Sequence, residues 1–195
     1  MVRENLVVLL SDLPLGADVS FHQRKVDMRG AVADGVEYMG IRWGQRDGRN
    51  GYTDSRAIEN WQNAGLERLL RMMYWVWDQR AGPHHTASAH MGGIRRVSRT
   101  YDGELPPVAD LELLPLVWNE FHEFLIMMEV WAGVRPDCYS GSWFLARVAP
   151  LPLWLEDYNF WLTGYNDQGP DIYGPLKELN PNVVDWQQSS SWFVN

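Results

Sequence analysis

At 195 residues the chain is long enough for one domain with a sizeable core. Its formal net charge of −8 argues against a nucleic-acid binder, which needs a basic patch, and it gives no pull toward anionic membranes. Its single cysteine, Cys138, excludes an intrachain disulfide and a CxxC-type metal site.

Residues 1–15 read as an N-terminal extension. The apolar run from Leu6 to Leu10 is too short for a signal peptide, and Glu4 breaks the required charge pattern. No segment reaches transmembrane length. From residue 16 onward, short apolar runs alternate with amphipathic stretches. "GADVSF" (16–21) and "GVEYMGIRW" (35–43) read as strands. Asp54 reads as the N-cap of a helix over 55–64, with Ile58 and Trp61 on one face. "LRMMYWVW" (70–77) reads as a third strand, and residues 86–99 as a helix carrying Met91, Ile94 and Val97. "PPVADLEL" (106–113) is the fourth strand. Pro115 then opens a helix with Trp118, Phe121, Leu125 and Met128 on one face, ending near Gly133. "PDCYSG" (136–141), "FWLTGYN" (160–166) and "NVVDWQQSS" (182–190) complete seven strands, with a short helix from Ser142 between the first two of these. Such alternation predicts parallel βαβ units in a β/α barrel or a doubly wound sheet. No GxGxxG or GxxxxGK[ST] follows a strand, which removes the main support for a nucleotide-binding sheet.

The fourth strand places acids where Val or Ile would be ordinary. Side chains alternate along a strand, so Asp110 and Glu112 share a face with Val108, about 6.6 Å apart at Cα. Ala109, Leu111 and Leu113 form the opposite, apolar face. Paired carboxyls are what glycoside cleavage requires: one protonates the leaving oxygen, and the other stabilises or captures the cationic sugar. Their proximity also drives their pKa values apart. D-x-E alone is a weak motif, and acids at an exposed strand end would look the same. Asp18, in "GADVS", is a third acid of this kind, though a turn cap would give the same pattern. Aromatics recur near strand C-termini, where barrel active sites gather: Tyr139, Trp161, Tyr165 and Trp186. His84, His85 and His90 show no HExxH or other ligand spacing. Ser142 is not in a GxSxG elbow.

Taken in order, "GADVSFHQ", "MGIRWGQ" with "TD" after it, "NAGLERLLRMMYWVW", "LPPVADLE", "GVRPDCYSGSWF", "FWLTGYN" and "DWQQSS" resemble glycoside hydrolase family 25, the lysozymes or N-acetylmuramidases of bacteria, phages and some fungi. The resemblance spans about residues 16–191. It implies an α/β fold, an irregular TIM-type (β/α)5(β)3 barrel over 16–195. It also implies hydrolysis of the β-1,4 bond between N-acetylmuramic acid and N-acetylglucosamine in peptidoglycan. No cofactor and no metal are implied. The partner would be the glycan strands of the bacterial cell wall, met by a monomer outside the cell or after phage release, with neither nucleic acid nor membrane involved. Glu112 would be the general acid/base. Asp110 would stabilise the cationic centre or orient the substrate's 2-acetamido group, and Asp18 would support the pair. Tyr74, Tyr139, Trp161, Tyr165 and Trp186 would line the saccharide groove.

The sequence departs from the family pattern in two places. The family's eighth strand, with a further Asp, has no counterpart before Asn195, and Asp185 precedes the "WQ" of the seventh strand. The extension's "LVVLL" run could cover the edge this leaves open. A different class of reading is a non-catalytic glycan-binding or virion structural domain that kept the barrel. A chitin-type glycosidase is disfavoured, because no DxxDxDxE run is present.

Overall fold

A computed structural model describes residues 14–47, 50–79, 86–163 and 183–187, with backbone alone for 46–47, 50–51 and 183–187. In chain order the elements are β1 (Leu15–Val19), α1 (Met28–Ala33), β2 (Val36–Asp47), β3 (Asn50–Thr53), α2 (Ala57–Leu66), β4 (Leu70–Val76), α3 (Ala87–Val97), β5 (Val108–Asp110), α4 (Trp118–Ala132), β6 (Asp137–Gly141), α5 (Ser142–Arg147), β7 (Phe160–Thr163) and β8 (Val183–Gln187). One sheet runs β1-β2-β4-β5-β6-β7-β8, and every neighbouring pair on that path is parallel. β3 lies off the path as an antiparallel hairpin partner of β2.

The sheet curls. β2 and β7 are separated by three strands in the order, yet a Cβ built on Gly40 of β2 would lie 3.4 Å from Trp161 Cη2 on β7. The same point lies 3.4 Å from Asp18 Cβ and Met72 Cε. Strand alternation then sorts the side chains into two sets. Outward residues such as Val19, Ile41, Trp43, Met73, Trp75, Ala109 and Leu162 join the helices in the main core, with Phe121, Phe124, Leu125 and Met128 of α4. Inward residues form a second, smaller cluster of Met72, Val108 and Trp161, flanked by Tyr38, Tyr74, Leu105 and Tyr139. A curled, helix-covered parallel sheet has two apolar faces to satisfy, which is why its strands read as nearly continuous apolar runs.

Several boundaries differ from the sequence reading. β1 stops at Val19, because Ser20 turns the chain by capping a short 3-10 turn over Phe21–Gln23 in a reciprocal box with Gln23. Asp54 is not the cap of α2; Arg56 occupies that position without a side-chain cap. Asp54 instead ties two loops, accepting from Phe21 N at 2.9 Å and Arg56 N at 2.8 Å. Ile58 is 48 % exposed, since Ala57, Asn60, Trp61 and Ala64 set the buried face of α2. α4 begins three residues after Pro115, where Val117 N donates to Gln79 Oε1 at 2.6 Å. It ends as expected at Gly133, which holds the left-handed cap conformation with φ 73°. The β2–β3 hairpin and α1 were not anticipated. The "LVVLL" segment lies outside the described residues.

Candidate active site

β5 is shorter than the apolar run around it. Only Val108–Asp110 forms the strand, although Leu111 N still donates to Tyr139 O at 2.8 Å. Pro106 and Pro107 offer no N–H to a ladder at its start, and the chain leaves the sheet after Leu111. Glu112 is therefore not on the strand as expected. It sits just beyond its C-terminal end, half-buried, while Asp110 is buried at the strand's last position. Ala109 and Leu111 are fully buried in the outer core, so the predicted division of faces holds for these residues.

The three acids come together. Asp110 interacts electrostatically with Glu112 and with Asp18, and Glu112 with Asp18. Burial pushes the Asp110 carboxyl well above the usual carboxylate range; Glu112 and Asp18 add to this, and Arg42 opposes it. Burial, then Asp18, pushes Glu112 up. The pair thus keeps a proton to higher pH than isolated carboxyls do, which is the condition for one member to act as an acid near neutrality. Tyr74 lies in the same field: burial first, then Asp18 and Asp110, hold its phenol protonated.

Sheet register explains the convergence. Asp18 pairs with Gly40, which pairs with Met72. Arg42 pairs with Tyr74, and Tyr74 with Val108. Asp110 pairs with Tyr139, and Tyr139 with Trp161. Tyr139 meets Trp161 edge to face at 5.1 Å between ring centroids. Three of the five expected groove aromatics, Tyr74, Tyr139 and Trp161, thus line the same interior as the acids. Tyr165 lies outside the described residues. Trp186 is described by backbone only, and its register partner is Leu162, whereas Asp185 partners Trp161. Among the described residues, Asp110 Oδ1, Trp161 Nε1, Thr163 Oγ1 and Arg42 Nε are buried without a hydrogen-bond partner. Polar atoms left so at one end of a curled sheet are what a hydroxyl- and amide-rich ligand can satisfy.

Sequence reasoning assigned no role to Arg42 or Tyr38. The signal was available: both share Gly40's alternation in "EYMGIRW", as Asp110 and Glu112 share Val108's. His84 and His85 lie outside the described residues. His90 is buried in the outer core, against Trp75 and Trp77. Among the described residues no group of three His, Cys, Asp or Glu could hold a metal ion, and no helix is long and apolar enough to cross a membrane.

The raised carboxyls make a stability prediction. A carboxyl whose folded pKa exceeds its unfolded pKa binds protons more tightly when folded, so stability falls as pH rises above about 4. Asp110→Asn removes the buried ionisation. It is expected to stabilise the fold by about 1–3 kcal/mol at pH 7, with the advantage vanishing toward pH 4. Urea unfolding at the two pH values checks this; a variant less stable than the parent at pH 7 contradicts it.

The profile of glycosyl hydrolases family 25 matches residues 17–195. No curated protein matches the chain. Among solved structures, the bacterial lysozyme from Streptomyces coelicolor superposes with a TM-score of 0.74 at 18% identity, covering 93% of this chain and 87% of that one. The family GH25 lysozyme from Aspergillus fumigatus superposes with a TM-score of 0.71 at 20% identity, covering 91% and 88%. A modular autolysin from Streptococcus pneumoniae, solved with a synthetic peptidoglycan ligand, gives 0.65 at 15% identity, covering 91% of this chain and 43% of that one. The fold is shared with these proteins, and the match over nearly the whole chain assigns it: this protein belongs to glycosyl hydrolase family 25.

Proposed function

We propose that the chain is a peptidoglycan hydrolase of the N-acetylmuramidase type, cutting the β-1,4 bond between N-acetylmuramic acid and N-acetylglucosamine. The observation that carries this reading is the convergence of Asp18, Asp110 and Glu112 at the C-terminal ends of β1 and β5, inside a curled sheet lined by Tyr74, Tyr139 and Trp161. Glu112, the less buried of the pair, protonates the leaving oxygen. Asp110, deeper and fixed at the strand end, faces the developing positive charge or holds the 2-acetamido group. Asp18 raises the proton affinity of both. The aromatic walls present flat faces to the apolar sides of the sugar rings. All of this is carboxylate chemistry and needs no cofactor. On this reading residues 16–195 form one catalytic unit, a (β/α)5(β)3 barrel. It works as a monomer on wall glycan strands outside the cell or after phage release.

The identity of the new chain end tests the bond assignment. Purified peptidoglycan is digested, reduced with borohydride and hydrolysed. Muramitol is the expected product, because the muramic acid carries the freed anomeric carbon. Glucosaminitol would move the cut to the other glycosidic bond. Binding to the walls with neither product would favour a non-catalytic glycan-binding domain.

A further inference from the structure

β6 ends at Gly141, on the inward side of the sheet. Cys138 is buried in the outer core, whereas Tyr139 borders the inner cluster. Alternation puts residue 141 on Tyr139's side, so a side chain there would enter the interior. A Cβ built on Gly141 would lie 2.3 Å from Trp143 Nε1 and 2.6 Å from its Cδ1. The indole of Trp143 has therefore folded back over the strand end and fills the place of the missing side chain. Glycine at 141 is what lets it seat there.

The core does not account for this indole. Phe144 and Leu145 anchor α5, and both are buried in the outer core. Trp143 meets Phe144 edge to face at 5.7 Å between ring centroids, yet it stays 57 % exposed. Among the tryptophans whose side chains are described, it is the one exposed. Its place in the sheet is specific. Asp110 pairs with Tyr139, so Gly141 lies about 6.6 Å further along the strands, toward the same C-terminal end. Gly141 in turn pairs with Thr163 of β7. Trp161 is inward, and alternation makes Thr163 inward too. Thr163 Oγ1 and Trp161 Nε1 are buried without a hydrogen-bond partner among the described residues. A flat exposed ring thus stands beside two unsatisfied polar atoms, at the mouth that holds the three acids.

We propose that Trp143 is a stacking platform for the glycan strand: it takes the apolar face of a sugar ring neighbouring the one that is cut, and so sets affinity rather than the rate of bond cleavage. This rests on the muramidase reading and deepens it. A pyranose has an apolar C–H face and a polar rim. The face suits the indole, and a hydroxyl or acetamido group on the rim suits Thr163 Oγ1 and Trp161 Nε1. Gly141 lies a step beyond the level of Asp110, which keeps the stacked ring off the reacting bond. The contact is then equal in the ground state and the transition state, and such uniform binding lowers KM without raising kcat. The indole is seated before any ligand arrives, so binding orders little.

The test uses soluble, peptide-free glycan strands and compares Trp143→Ala, Trp143→Leu and Trp143→Tyr with the parent enzyme. Trp143→Ala is expected to raise KM by about tenfold, the order of one aromatic contact, and to leave kcat within about threefold. Trp143→Leu keeps an apolar cover over Gly141 without a flat ring. It should lose as much, and it stands in if Trp143→Ala does not fold. Trp143→Tyr should recover most of the loss. Gly141→Ala pushes the indole off its seat and should raise KM in the same direction. A parental KM in Trp143→Leu would reduce the indole to a cover and overturn the proposal. A fall in kcat at unchanged KM would overturn it too. Calorimetric titration of the same strands into Glu112→Gln, with and without Trp143→Ala, reads affinity without turnover. A parent that binds strands and cuts none would sink the muramidase reading while the titration still decided Trp143. Equal affinities in that titration would overturn the platform whatever the parent cuts, and a parent that neither binds nor cuts would overturn both.

Discussion

Glu112→Gln is expected to slow glycan cleavage by about 10²–10⁴-fold, the usual worth of a general acid. The amide keeps the shape of the side chain and removes the transferable proton. Glu112 stands outside the ladder and is only half-buried, so no strand pairing depends on it. Burial and Asp18 both push its carboxyl pKa up, so they disfavour its charge, and a neutral amide removes that cost. The unfolding midpoint should therefore equal or slightly exceed that of the parent. Turbidity clearing of bacterial walls and released reducing ends measure the rate, and urea titration measures the fold. Full activity in a folded Glu112→Gln would remove Glu112 from the chemistry, and with it the assignment of roles within the pair.

How far this site could be read from the sequence depends on which physical signal each residue carries. Asp110 and Glu112 stand out because carboxylates violate a buried strand's composition, and Asp18 stands out in the same way. Arg42 violates it equally, between Ile41 and Trp43. What hid it was its context: its guanidinium bonds Gln45 and Tyr52, and strand periodicity puts Gln45 on the wrong face until the β2–β4 register slips between Arg42 and Gly44. The hairpin was signalled in "RDGRNG", where Asp-Gly and Asn-Gly are strong turn dipeptides. α1 carried little signal, being six residues long with Gly30 inside it. The strand order was more accessible, since alternating elements with short connections force parallel neighbours. The extent of β5 was not, because its end is decided by which neighbours Leu111 and Glu112 find across the sheet.

The second large effect concerns the other side of the sheet. His90→Ala is expected to cost about 3–5 kcal/mol of stability, the range for emptying a large buried site. His90 is fully buried on α3. Its Nδ1 accepts from Trp75 Nε1 at 2.9 Å, so the proton resides on Nε2, which faces Asp78 O at 3.1 Å. The neutral ring bridges two groups near the C-terminal end of β4 and stacks on Trp77 at 4.2 Å between centroids. Truncation removes the bonds to the indole N–H and the Asp78 carbonyl as well as opening a cavity, and each lost bond adds to the cost. His90→Leu separates the two terms. It refills much of the volume and loses the same bonds, so it should recover only part of the difference. Yet the rings His90 packs on, Trp75, Trp77 and Phe124, belong to the outer core. Well below its melting temperature, His90→Ala should cleave glycan within about tenfold of the parent rate, a bound set below the loss of a general acid. A folded His90→Ala as inactive as Glu112→Gln would mean that Asp78, to which Gln45 donates, depends on the imidazole, and that the two faces of the sheet are not independent. A stability loss below about 1 kcal/mol would mean that the pocket closes around the missing ring.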